Sequence, residues 1–194
     1  MPYARRLPVY LVLDCSASMS GEPIESVCQG IKMLVDDLKG DPQALKTVCL
    51  SVITFASVAQ QISPLTEVML FRVPKLEAGG VTALGGALRV LRECIDKEVR
   101  KTTENQKGDW LPLVFIITDD MHTDGEEFDR QTKDIKSLKV ANIIAVGVGP
   151  YVEQSTLKRI TDNVILTNAA SAVDLSKFFA WVSGSINILS NTDA

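Results

Sequence analysis

The sequence predicts an α/β fold: a doubly wound, mainly parallel sheet with one short antiparallel edge strand and helices on both faces. Three observations carry that expectation. Short continuous apolar runs at residues 9–13, 113–117 and 143–148 have the composition of strands buried on both faces. Segments with apolar residues at the 3.6-residue period lie between them. The two patterns alternate along the chain, which is the order that builds parallel strands joined by crossover helices.

After the first strand, Gly21-Glu22-Pro23 opens a helix, since proline suits a first turn and glutamate complements its positive end. Ile24, Val27, Ile31, Leu34, Val35 and Leu38 keep the helical period until Gly40-Asp41-Pro42 stops it. Residues 48–55 form the second strand, and 58–62 a short strand paired with it through a tight connection at Ala56-Ser57. A loop over 74–80 leads to Thr82 and a helix carrying Leu84, Ala87, Leu88, Leu91 and Ile95. Residues 102–109 make a loop, 113–117 a strand and 126–138 a helix. A strand at 143–148, a short helix at 155–160 and a last strand at 163–166 follow. Ser171 to Asp174 resembles a capping box for the final helix, with Phe178, Phe179, Val182, Ile186 and Leu189 on its apolar face. The expected organisation is one domain over residues 1–194, ordered over about 7–189, with loose tails at 1–6 and 191–194.

Composition narrows the function. The 194 residues are 46% hydrophobic and 23% charged, which argues against disorder. Twenty Lys+Arg against twenty-four Asp+Glu leave a net charge of −4, the wrong sign for a phosphate-neutralising surface, so no nucleic acid is expected as a partner. The densest basic run (Lys97, Arg100 and Lys101, broken by Glu98) reads as a solvated helix end. No apolar stretch reaches the length of a membrane span, and the run behind Arg5-Arg6 is too short for a secretory signal, so the expected location is the cytoplasm. Cys15, Cys28, Cys49 and Cys94 lack paired zinc-site spacing and read as reduced, buried thiols.

In doubly wound sheets, sites form beyond the carboxyl ends of the strands where the strand order reverses. Asp14-Cys15-Ser16-Ala17-Ser18 places three oxygen side chains at alternate positions there. With Thr82 and Asp119 they would make a small oxygen cage suited to a hard divalent cation. The alternative is that Ser16, Ser18 and Thr82 cap helices. Other motifs fail. Asp120 to Gly125 starts like an EF-hand but has His122 third and Gln131 twelfth. Gly147-Val148-Gly149 lacks the third glycine of a dinucleotide turn, and His122 is the only histidine, so no nucleophile–base pair supports an enzyme. Trp110 and Trp181 read as packing residues, and Met69-Leu70-Phe71 as a buried stripe or an apolar flank.

Asp14-Cys15-Ser16-Ala17-Ser18-Met19, Gly79-Gly80-Val81-Thr82 and Ile117-Thr118-Asp119 resemble the metal-ion-dependent adhesion site of von Willebrand factor A (vWA) domains, which have a Rossmann-like fold. The likeness runs over about residues 7–189. Residues 7–14, 21–26 and 107–115 resemble more narrowly the TerY-type bacterial subfamily, associated with tellurium resistance and stress response. The resemblance implies that Ser16 and Ser18 coordinate Mg²⁺ directly, with Mn²⁺ or Ca²⁺ as substitutes. It implies that Thr82 binds directly or through water, and that Asp14 and Asp119 act mostly through water. The implied partner is a protein that supplies an Asp or Glu to the metal. An alternative role is a phosphorylation-linked signalling subunit acting with a kinase and a metal-dependent phosphatase. The family usually has Gly where this chain has Ala17 and Asp120. Ala17 is tolerated only if that position does not need positive φ, and Asp120 adds charge beside Asp119.

Overall fold

The computed structural model describes residues 5–119, 123–167 and 172–191. Strand β1 (Leu7–Asp14) is followed by helices α1 (Glu22–Gly40) and α2 (Ala44–Thr47), then by β2 (Val48–Phe55) and, directly after it, β3 (Ala59–Glu67). Helix α3 (Leu84–Glu98) then leads to β4 (Leu113–Thr118), α4 (Gly125–Leu138) and β5 (Asn142–Val148). The chain ends with α5 (Gln154–Ile160), β6 (Val164–Thr167) and α6 (Ala172–Asn191). The six strands make one sheet in the order β3-β2-β1-β4-β5-β6. All neighbours run parallel except β2 and β3. This is the doubly wound, mainly parallel sheet expected from the apolar runs.

β1 shows how the two layers arise. All eight of its residues are buried. Its odd positions, Leu7 to Leu13, join α1 and α6 in one core, while Tyr10 and Val12 join α3, α4 and α5 in the other. That parity is the two-residue period of a strand covered on both sides. Helix α6 lies close against α1, because a Cβ on Gly30 would overlap the Phe179 ring. Leu189 does not share that face and is 46% exposed, one turn beyond the end of the buried stripe at Ile186. Trp181 is also half exposed, standing edge-on to Phe115 at 6.4 Å. Among the described residues, no helix is long and apolar enough to cross a membrane.

β3 extends five residues beyond its expected end, past Pro64, because its backbone continues to bond β2 across two register shifts. Proline and bulges are what an edge strand tolerates and a central one does not. Of the stripe 69–71, Phe71 is buried while Met69 and Leu70 are exposed.

The amino end of the sheet departs from the sequence reading. Lys97, Arg100 and Lys101 are exposed, but Glu98 is half-buried: its carboxylate accepts hydrogen bonds from Tyr10 Oη (2.9 Å), Gln61 Nε2 (3.1 Å) and the Leu65 amide (3.1 Å). Tyr10 needs such an acceptor because its hydroxyl rises from a fully buried strand. Burial, followed by the Glu98 charge, raises its pKa above the ordinary tyrosine value. Arg5 and Arg6 are likewise not a loose tail. Arg6 donates from Nε and Nη2 to the two oxygens of Asp109 at 3.0 and 2.6 Å, and Arg5 stacks 3.7 Å over the Trp110 ring. A bidentate guanidinium–carboxylate pair and a cation–π contact are among the firmer polar contacts open to arginine.

All four cysteines are free, three of them buried and Cys28 half-buried. Burial pushes the Cys15 thiol up to about 12 and those of Cys49 and Cys94 to about 11. Thiolate being the reactive form, iodoacetamide at pH 8 is expected to label Cys28 of the native chain well ahead of the other three. Peptide mass spectrometry checks this, and equal labelling without denaturant would contradict the packing.

Candidate metal centre

The strand order turns back on itself at β1, with β2 on one side and β4 on the other, which is the switch point where a crevice opens. Asp14 is the last residue of β1, and Asp119 follows the last residue of β4. The register Leu13↔Ile117 brings Asp14 level with Thr118. The Thr118 hydroxyl donates to Asp14 Oδ2 at 2.7 Å and the Ser16 amide donates to Oδ1 at 2.9 Å, so both carboxylate oxygens are held in place. Burial lifts the Asp14 carboxyl above the usual carboxylate range. Bonds from Ser16 and Thr118 oppose that shift, and the nearby Asp119 charge adds to it. A positive charge at this spot favours the ionised form of Asp14.

Ser16 is extended (φ −67°, ψ 167°), and the chain then tightens into a 3₁₀ turn over Ala17–Met19 anchored by buried Met19. The Ser16 and Ser18 hydroxyls stand 2.9 Å apart and bond one another. Their convergence therefore comes from this turn and not from the alternation of an extended strand. Ala17 needs no glycine: the only described non-glycine residue with left-handed φ is Lys139. The Ala17 amide instead donates to Gly80 O at 3.0 Å.

That bond joins the second loop to the first. Gly79 N donates to Cys15 O at 2.8 Å, and Ala83 N donates to Ala56 O at 2.8 Å, so Thr82 is held between the ends of β1 and β2. Gly80 has φ 79°, and a Cβ there would run into Ser57 Oγ, which accepts from the Val81 amide. Glycine is required at this point on both counts.

Ser16 sits at the N-cap position of the 3₁₀ turn and Ala83 at that of α3, and neither of these two residues caps its turn with its own side chain. The capping alternative for Ser16 and Thr82 thus has no bond to support it. Asp119 supplies the complementary observation. Its Oδ1 is buried and has no hydrogen-bond partner, a costly state for a carboxylate oxygen unless something positive meets it. Among the described residues no group of three His, Cys, Asp or Glu side chains comes together as a metal cluster. The donor set at this end is two carboxylates and three hydroxyls, which fits a hard, oxygen-seeking divalent cation and neither zinc nor copper by preference.

Two further residues brace the site and were not singled out from the sequence. Asp124 accepts from the Gly85 and Gly86 amides at 3.1 and 2.8 Å, satisfying the start of α3 from the other side of the crevice. Thr123 donates to Thr82 O from its amide at 2.8 Å. Asp124 stands just before α4 yet serves the N-terminus of α3, so no local pattern shows its role. Asp124→Ala leaves two amides of α3 unpaired and is expected to cost about 1–2 kcal/mol in urea unfolding. An unchanged midpoint would show that this brace carries nothing. Asp120 and His122 lie outside the described residues.

Residues 9–180 match the family model of the von Willebrand factor type A domain. The chain belongs to that family. vWA domains often bind partner proteins through a metal-ion-dependent adhesion site. This vWA chain is 28% identical over 165 residues to Uncharacterized protein sll0103 of Synechocystis sp., over 80% of this chain and 36% of that protein. It thus spans about a third of the length of that curated relative. Among solved structures it resembles the vWF domain of the type V pili tip protein Mfa5 from Porphyromonas gingivalis, with TM-score 0.75 and 12% identity over 98% of both chains. A von Willebrand factor type A protein from Catenulispora acidiphila gives TM-score 0.71 at 17% identity, over 95% of this chain and 43% of that one. Proximal thread matrix protein 1 from the mussel byssus, with a zinc-occupied MIDAS motif, gives 0.64 at 20%, over 97% and 47%. At these identities the structural likeness concerns the fold.

Proposed function

We propose that this vWA domain is a non-enzymatic protein-binding module, one domain over residues 1–194, that recognises a partner's Asp or Glu through a divalent cation. Ser16, Ser18 and Thr82 hold the ion by their hydroxyls, and Asp14 and Asp119 balance its charge, mostly through water. Mg²⁺ is the expected ion, with Mn²⁺ or Ca²⁺ as substitutes. The observation that carries this reading is the pairing of a buried, unpartnered Asp119 oxygen with a fixed Asp14 carboxylate and a converged hydroxyl pair. A cation held mainly by neutral hydroxyls stays electrophilic and leaves a position for an outside carboxylate.

The setting we infer is the cytoplasm of a bacterium, in TerY-type stress or tellurium-resistance signalling. The sequence segments at 7–14, 21–26 and 107–115 support that narrower placing, and the four free thiols accord with a reducing compartment. The test is capture of partners from lysate by the immobilised chain. Recovery is expected to require Mg²⁺, to be lost in EDTA, and to be lost with Asp14→Ala. Recovery indifferent to both would overturn the proposal.

A further inference from the structure

The rim of the proposed metal site is chemically lopsided. On the α4 side it carries Asp124 and Glu126, together with Glu127, which is paired with Arg130. On the β2 side it has no ionisable side chain at 17–18, 57–58 or 79–81. Two of those residues are bulky and apolar where loop tips are ordinarily polar: Val58 is 72% exposed and Val81 is 52% exposed. They belong together. Ser57 Oγ accepts from the Val81 amide at 3.2 Å, and the left-handed Gly80 sets Val81 over the β2–β3 turn. Val81 is also the immediate neighbour of Thr82, so the apolar spot abuts the ion-binding end of the crevice. The nearest charges along the same loop, Lys75 and Glu77, neutralise one another at 2.7 Å.

We infer that the partner is an extended acidic segment whose Asp or Glu is accompanied, two positions away, by an aliphatic side chain that seats on Val58 and Val81. This rests on the cation reading above and names the class of partner it selects. A carboxylate entering from the α4 side meets the net negative charge of Asp124 and Glu126 beside the Glu127–Arg130 pair, whereas the β2 side offers an uncharged approach, so charge favours entry over the β2 side. In an extended peptide, residues two apart share a face and stand about 7 Å from one another. A carboxylate at the ion thus places its i±2 neighbour beside the site, where a pair of exposed valines can bury it. Two valines accommodate one aliphatic side chain and no broad apolar face, which favours a short segment over a lipid surface.

The test uses immobilised heptapeptides with Asp or Ala at the centre and Leu, Ser or Lys two positions to either side, probed with the full chain in MgCl₂ or EDTA. Retention is expected to need both Asp and Mg²⁺, and to be about tenfold stronger with Leu than with Ser. Val58→Ser/Val81→Ser is expected to erase the Leu advantage while binding Mn²⁺ like the parent. Equal retention of Leu and Ser peptides, or a Leu advantage that survives in the double variant, would overturn the inference. So would a Mg²⁺-dependent dimer, seen by sedimentation and dissolved by the same variant, since the strip would then belong to a second copy. Failure of the parent itself to bind Mn²⁺ sinks the cation reading instead, which separates the two.

Discussion

Asp119→Ala is expected to weaken divalent-cation binding by about ten- to a hundredfold while leaving the metal-free chain at least as stable as the parent. The two halves have one cause. In the folded chain Asp119 Oδ1 is buried without a hydrogen-bond donor. Removing it relieves an uncompensated desolvation cost, and no other group loses a bond to that oxygen. On the proposed reading the same oxygen is the counter-charge for a cation at the Ser16–Ser18 pair, so its loss appears only when the ion is added. Thermal unfolding in EDTA and calorimetric titration with MgCl₂ read the two effects separately. A variant that unfolds several degrees earlier in EDTA would show that Asp119 is a structural residue with a partner after all.

Phe179→Ala carries the largest expected effect on stability. The ring is fully buried, meets Phe178 edge-on at 5.3 Å, and fills the space that Gly30 leaves open on α1. Truncation opens a cavity between α1 and α6 that neither helix can close without moving off the sheet. The expected cost is about 3–5 kcal/mol, or roughly 6–20 °C in Tm for a chain of this size. The metal end is built from other elements, so the surviving folded fraction is expected to bind Mg²⁺ as the parent does. A loss under about 1 kcal/mol would mean that the α1–α6 contact is looser than the Gly30–Phe179 approach implies.

The fold was legible because its strands are apolar on both faces and its helices carry one apolar stripe. Local pattern alone separates these two periods. What escaped notice depended on distant partners. Glu98 reads as a surface acid in a basic run until Tyr10 and Gln61, from two other strands, are brought against it. Arg6 reads as a tail residue until Asp109 meets it, across more than a hundred positions of sequence. The five residues proposed for the site stand where the topology rule locates sites, at the ends of β1 and β4 and in the loop between β3 and α3. The means of assembly differ from the expected one. A 3₁₀ turn turns Ser18 toward Ser16, and backbone bonds at Cys15, Ala17 and Ala56 draw the Thr82 loop in. The Asp124 brace was invisible for the same reason as Glu98, since its carboxylate satisfies a helix that begins forty residues earlier in the chain.

The most direct test of the central claim is Mn²⁺ binding to the EDTA-stripped chain, followed by the loss of the free ion's paramagnetic resonance signal. A single Mn²⁺ per chain, displaced by Mg²⁺ and lost in Ser16→Ala/Ser18→Ala although that variant folds normally, is the predicted result. Binding that the double variant retains at full affinity would contradict it.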